Sequence, residues 1–366
     1  MRPPTMRHQL LVRLVPWHAT EAARLLAEWA NHDTLSGYCD DDWLAEACRH
    51  TGEPAGLLVA SQGPEPLACV PAAVTAQARF AGARLVNVDS LPFGAVGGYL
   101  LRPDGGRAAV AALRMLLRVA PAGLRFGSVW LRTRVKTLLL ASDFQHLFDG
   151  LPSPLASTRN LAVLALPRTI DILRSRYSSH HRRNVRKSAR LGCDVRTTDR
   201  EHDLRAFHAM VLQTIERAGT EIHVPLSFFL PAAAKMIARG RAVLYMAHRD
   251  REALAGIFVV RDERRSFYWL GGMTRSATSA KVEPMFALFD RAFAEAVSLG
   301  HVQFELGGAP TEGLGRFKLG WGAELAPFVI LHGMNPRLAP AYGAFTRARR
   351  LLRVADGPDA GEHAAT

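Results

Sequence analysis

Residues Val302–Ile330 read VQFELGGAPTEGLGRFKLGWGAELAPFVI, and the second half of the chain is organised around them. Phe304 and Leu306 alternate with Gln303 and Glu305, the period-two pattern of a half-buried strand. Gly307-Gly308 then ends the strand in a turn whose backbone can take conformations, and admit a ligand, that side chains would block. Gly313 to Lys318 reads as a short helix or loop, and Trp321 to Leu331 is another apolar run, bounded by Gly320 and Gly322. Lys318 therefore stands between two sheet elements beside a glycine turn, an arrangement suited to holding a ligand.

Upstream, a helix over Glu283–Leu299 presents Phe286, Phe289, Phe293 and Val297 to one side and stops at Gly300. Before it lie a loop, Gly271–Val282, and three strand-like runs, Arg241–Ala247, Ala253–Val260 and Ser266–Leu270. Their short turn-like separators predict an antiparallel meander. Earlier still the pattern predicts a strand at Asp194–Thr197, a helix over Asp199–Arg217 and a helix over Leu226–Ala238. A basic helix over Ile170–Leu191, stopped by Gly192, leads into this half. Within it Arg183, Arg186, Lys187 and Arg190 recur at helical spacing as one positive stripe, with Val185 and Ala189 toward the other side. Most charge runs are solvated faces, but no acid occurs between Asp171 and Asp194 to balance this one, which favours an anionic contact.

The first half mixes strands at Leu10–Val15, Gly56–Ala60, Leu67–Ala76, Arg84–Val88, Arg125–Leu131 and Leu161–Leu166 with helices at Ala22–Ala30, Gly106–Val119 and Thr137–Phe148. The expected organisation is an N-terminal lobe over residues 1–167, a second lobe over 168–354 and a disordered tail over 355–366. Pro340–Val354, with Arg347, Arg349, Arg350 and Arg353 among apolar residues, reads as a final packing helix or an amphipathic membrane contact.

At 366 residues and 48% hydrophobic content the chain is long enough for two domains with their own cores. A net charge of +13 draws anionic partners without choosing among phosphates, nucleic acid and lipid. Cys39, Cys48, Cys69 and Cys193 show no framework spacing, so reduced thiols in a cytoplasmic setting are expected. Arg2, Pro3, Pro4 and Arg7 break up the start, and the richest apolar stretch contains Arg114 and Arg118, so neither export nor a membrane span is expected.

Strand, two helices, three meander strands, helix, strand, short helix and final strands is the element order of GNAT acyltransferases. With the basic helix Arg182–Gly192 ahead of it, and Gly307-Gly308, Phe317-Lys318 and Trp321-Gly322 at its close, the chain resembles the FemAB/CelD branch of that superfamily. The resemblance covers Ile170–Leu331 and is weaker over residues 10–167, where a diverged copy is expected. It implies an α/β (α+β) fold of two GNAT-like lobes, each a mixed, mainly antiparallel sheet flanked by helices.

It also implies an N-acyltransferase that moves an acyl group from acyl-CoA, as co-substrate rather than bound cofactor, to an amine or hydroxyl of a cell-envelope or polysaccharide precursor. The acceptor would be an anionic small molecule or lipid-linked sugar, reached in the cytoplasm or at the inner face of the membrane. The alternatives are a FemAB-type transferase using aminoacyl-tRNA and a non-catalytic RNA-binding protein on the same scaffold.

By this resemblance Gly271, Gly272, Met273, Arg275 and Lys281 form the donor site, where strand backbone and a helix start receive pantetheine and pyrophosphate. Lys318 stabilises an oxyanion or holds a phosphate, and Glu305 is a candidate base. Arg183, Arg186, Lys187, Gly307, Gly308, Phe317 and Trp321 contact substrate. The Gln/Arg-x-x-Gly-x-Gly loop of acetyl-CoA-binding members is absent, and Glu283 stands near the phosphate position. No phosphate loop, nucleophile elbow or paired-histidine metal helix occurs, and His180-His181 are adjacent rather than a turn apart, so they extend the basic face and no metal site is expected.

Overall fold

The computed structural model describes residues 10–29, 37–80, 83–91, 93, 97–116, 128–138, 156–218, 224–309, 311–334 and 340. The chain forms two compact units, residues 1–158 with 329–366, and residues 159–328.

The first unit contains β1 (Leu10–Pro16), α1 (Thr20–Trp29), α2 (Asp41–Thr51), β2 (Ala55–Gln62), β3 (Glu65–Phe80), β4 (Ala83–Asp89), β5 (Leu100–Leu101), α3 (Gly106–Leu116) and β6 (Ser128–Leu138). Strands β1 to β4 pair in sequence as an antiparallel meander, β6 runs parallel to β4, and β5 adds to β3. On β2, Leu57 and Val59 pack with Ala22, Leu25 and Trp29 of α1, while Leu58 and Ala60 pack with Ala109, Ala112 and Leu113 of α3. Both faces are covered, which is why this strand reads as an unbroken apolar run.

The second unit continues with β7 (Ala156–Ala165), α4 (Ile170–Arg176), α5 (Ser179–Arg190), β8 (Asp194–Thr198), α6 (Glu201–Ala218), α7 (Leu226–Ala238), β9 (Ala242–Arg249), β10 (Glu252–Arg261), β11 (Arg265–Met273), α8 (Ala277–Val282), α9 (Pro284–Ser298), β12 (Gln303–Gly308) and α10 (Glu312–Leu319). The last strand, β13 (Glu324–Met334), is divided between the two units. Strands β8 to β11 form an antiparallel meander, β12 is parallel to β11, and β7 is antiparallel to β12. Tyr245, Ile257, Val259, Phe304 and Leu306 bury one face against Phe286, Phe289 and Phe293 of α9. On the other face Phe258 and Trp269 meet Phe207 of α6 and Phe229 of α7. Each unit thus repeats one plan: strand, two helices, meander, helix, then a strand parallel to the last meander strand.

Several sequence expectations need correction. The single basic helix is two, α4 and α5, because Tyr177 is extended (φ −59°, ψ 143°), buries its ring and donates its hydroxyl to Asp290 at 3.2 Å. Ser178 then caps α5, its side chain accepting from the His181 amide. The buried face of α5 is His181, Asn184 and Ser188, with Val185 half-buried and Ala189 exposed, so His181 does not extend the basic face. The expected loop 271–282 continues β11 to Met273 and then forms α8, capped by Ser276. Strand β7 lies mainly in the second unit, because it pairs with β12, so the boundary falls ahead of residue 167.

Helix α2, absent from the sequence reading, is capped by the Asp40 carboxylate and ended by left-handed Gly52. The helix expected over Thr137–Phe148 begins instead as the end of β6, and its residues from 139 lie outside the described set. Residues 341–366, including most of the expected C-terminal helix and tail, also lie outside it.

Gly272 lets α6 lie directly on β11: a Cβ there would come 2.5 Å from the Val211 amide nitrogen. Gly272→Ala should lower stability by about 1–3 kcal/mol, read as a lower urea midpoint at unchanged slope. An unchanged midpoint would show that α6 is not seated on this strand.

Candidate active site

The parallel strands β11 and β12 pair over three residues, Arg265 with Gln303, Ser266 with Phe304 and Phe267 with Glu305. Beyond that point the ladder stops, although β11 runs on to Met273 and β12 to Gly308. The two strands therefore part at Glu305.

Glu305 is 2% exposed and its Oε2 has no hydrogen-bond partner. Burial pushes its carboxyl up to about 7, against the downward pull of Arg265 and Lys318. Lys318, on the last turn of α10, is 3% exposed and donates from Nζ to the Gly308 carbonyl at 2.5 Å. Burial lowers its ammonium to about 8, with Glu305 opposing. The two charges feel each other, yet no ion pair joins them. Lys318 Nζ also lies 5.9 Å from the centre of the Tyr268 ring, whose phenol burial pushes up to about 12.

Gly307 sits at this junction with φ 74°, and a Cβ there would stand 3.7 Å from Lys318 Nζ and 3.6 Å from the Tyr268 carbonyl. Glu305, Gly307, Gly308 and Lys318 thus come together as the sequence pattern expected. A carboxylate near neutrality and a partly dehydrated ammonium at the end of a broken strand ladder can take a proton and support an anion.

Other expected site residues have different surroundings. Trp321 is fully buried and Phe317 half-buried, and their rings pack with His181, Phe286 and Phe289 rather than line a cleft. Gly271 makes room for the Tyr268 hydroxyl, 2.2 Å from its would-be Cβ. Met273 gives its N–H to Thr214 Oγ1 and its carbonyl to Arg217, so α6 takes both backbone groups. Arg275 and Lys281 are exposed near the two ends of α8.

Arg183 and Arg186 are exposed on α5, but Lys187 leaves the stripe to pair with Glu283 at 2.7 Å. Glu283 itself is left-handed (φ 55°) and precedes Pro284 at the start of α9, putting a carboxylate where a phosphate-binding helix would offer a free positive end. Sequence reasoning missed the Tyr268 contact and the burial of His181, both set by tertiary packing.

The family profile described as acetyltransferase (GNAT) domain matches residues 175–319. The second unit carries a GNAT-type acetyltransferase domain. FemX is similar in fold, with a TM-score of 0.58 at 13% identity over 86% of this chain and 97% of that chain. A conserved protein of unknown function from Bacteroides thetaiotaomicron has a TM-score of 0.53 at 10% identity, covering 88% of this chain and 99% of that one. The likeness in fold to FemX extends over both units. No curated protein matches the chain.

Because the Glu305 carboxyl is raised in the folded GNAT domain, its contribution to stability is full below the unfolded value near 4.5 and is lost as pH rises through about 7. Lys318 has the opposite sign: its contribution is present above about 10.5 and is lost as pH falls through about 8. Glu305→Gln removes the first dependence, so the variant's Tm relative to wild type should climb between pH 4.5 and pH 7. A difference that stays constant over that window would contradict the burial of an ionisable carboxyl.

Proposed function

We propose that the GNAT domain transfers an acyl group from a thioester donor, acyl-CoA, to an amine of a cell-envelope or polysaccharide precursor in the cytoplasm. The observation that carries this reading is the parting of β11 and β12 at Glu305, with Lys318 beside the opening. Extended donor backbone can enter where the two strands part, which places a thioester carbonyl near the two charged groups.

The acceptor amine attacks the carbonyl carbon and its proton passes to Glu305. Lys318 donates to the oxygen that becomes negative. Collapse re-forms the carbonyl, breaks the carbon–sulfur bond and releases the thiolate.

The fit to coenzyme A is partial. The parting of the strands suits a pantetheine arm, whereas Glu283 at the start of α9 opposes a phosphate there, leaving exposed Arg275 and Lys281 to meet the diphosphate. The exposed arginines of α5 suit an anionic acceptor such as a lipid-linked sugar, and they also support a second reading in which aminoacyl-tRNA is the donor. Among the described residues no helix is long and apolar enough to cross a membrane, so a lipid-linked acceptor would be met at the surface.

Thermal unfolding with a series of acyl-CoAs and with aminoacyl-tRNA separates the donors, since a ligand of the folded state raises Tm by mass action. A saturable rise with acyl-CoA is expected, and a rise with aminoacyl-tRNA alone would overturn the thioester assignment. With the donor in hand, Lys318→Ala should lower kcat about 10²–10³-fold. The rate should climb as pH rises through about 7 and fall above about 8. RNA binding with a steep salt dependence, unaffected by Lys318→Ala, would instead favour a non-catalytic binding protein on a GNAT scaffold.

A further inference from the structure

The last turn of α10 handles its carbonyls unevenly. Arg316 O accepts from Gly320 N–H, Lys318 O from Trp321 N–H at 3.2 Å, and Leu319 O from Gly322 N–H at 2.9 Å. The turn tightens so that Trp321 N–H goes to Lys318 O, not to Phe317 O, which is met instead by His181 Nε2 at 2.7 Å. Since a carbonyl can only accept, Nε2 carries the proton; Nδ1 then accepts from the Ser178 hydroxyl at 2.9 Å.

His181 is 3% exposed and enclosed by Phe286, Phe317 and Trp321, with ring centres 5.1, 5.4 and 4.5 Å away. Burial lowers its pKa, in keeping with the neutral ring these bonds require. The ring occupies the space that a side chain at Gly320 would need, 2.0 Å from the would-be Cβ. A second bond, Ser178 N–H to Gly320 O at 2.8 Å, joins the same two helix ends.

We infer that His181 is a positioning residue for Lys318: by holding the Phe317 carbonyl it fixes the Phe317–Lys318 peptide and so keeps Nζ at the Gly308 carbonyl beside Glu305. It does not touch the reacting atoms. Its imidazole N–H is a buried donor that only α10 uses, and it makes the register of α5 a condition for placing the lysine. This rests on the reading of Lys318 as the oxyanion donor, but the geometry has a readout that needs no substrate.

That readout is the pH dependence of labelling Lys318 with an amine-reactive reagent, followed by peptide mass spectrometry, in wild type, His181→Gln, His181→Asn and His181→Leu. Gln can still reach the Phe317 carbonyl, Asn can reach only Ser178, and Leu reaches neither. The expected midpoint is about 8 in wild type and His181→Gln, and moves toward the ordinary lysine value of 10.5 in His181→Asn and His181→Leu as Nζ escapes its buried place. In turnover the same two variants should lose about tenfold or more in kcat, with donor KM within about twofold.

If His181→Leu does not fold, as judged by circular dichroism, His181→Asn carries the test. An unshifted labelling midpoint in folded Asn or Leu protein overturns the inference. A shifted midpoint, together with Lys318→Ala turnover equal to wild type, leaves the positioning intact and removes the catalytic reading instead.

Discussion

The structure of the second unit turns on one electrostatic arrangement: a carboxylate and an ammonium buried where a parallel strand ladder ends, close enough to shift one another but not paired. A buried charge without a full set of hydrogen bonds is costly, and most folds replace such a pair with apolar side chains or close it into an ion pair. Here Glu305 keeps an unpartnered oxygen, and Lys318 spends its bond on a backbone carbonyl. The surrounding packing of α9, α10 and the strand cores compensates for that cost. Groups with pKa values moved toward neutrality at the end of a strand are what proton transfer and anion support require.

Among the described residues the corresponding pair in the first unit is longer. There the parallel pair β4 and β6 runs over six pairs from Arg84 with Ser128 to Asp89 with Arg134, with one register shift between Val86 and Asn87, against three pairs in β11 and β12. The two units share a plan but differ at this junction, and the proposed catalytic role is given to the second. Helix α5 contributes twice, through the arginines on its exposed face and through the buried His181–Phe317 bond on the other.

Much of the second unit was legible in the letters. Alternation at Phe304 and Leu306, the Phe286–Phe289–Phe293 spacing and the turn-bounded meander gave the elements and their order, and Gly307-Gly308 with Lys318 marked residues that the fold brings together. Long-range partners were not legible. Nothing local shows that Lys187 reaches Glu283, that Trp321 is enclosed, or that His181 turns inward from a run of cations. Helix α5 buries polar residues, so hydrophobic periodicity misplaced its inner face. Cap chemistry was underused: Asp40 before an acidic first turn and Gly52 after the last are the signals of α2. In β6, alternating Arg132, Arg134 and Lys136 masked a strand that continues to Leu138.

The most direct test of this account is a carbon-13 NMR titration of protein labelled at its glutamate carboxyl carbons, with Glu305→Gln identifying the signal. The account predicts that the Glu305 resonance titrates with a midpoint near 7. A midpoint near the ordinary value of 4.5 would mean that the carboxylate is solvated, and that no poised pair stands at the end of the β11–β12 ladder.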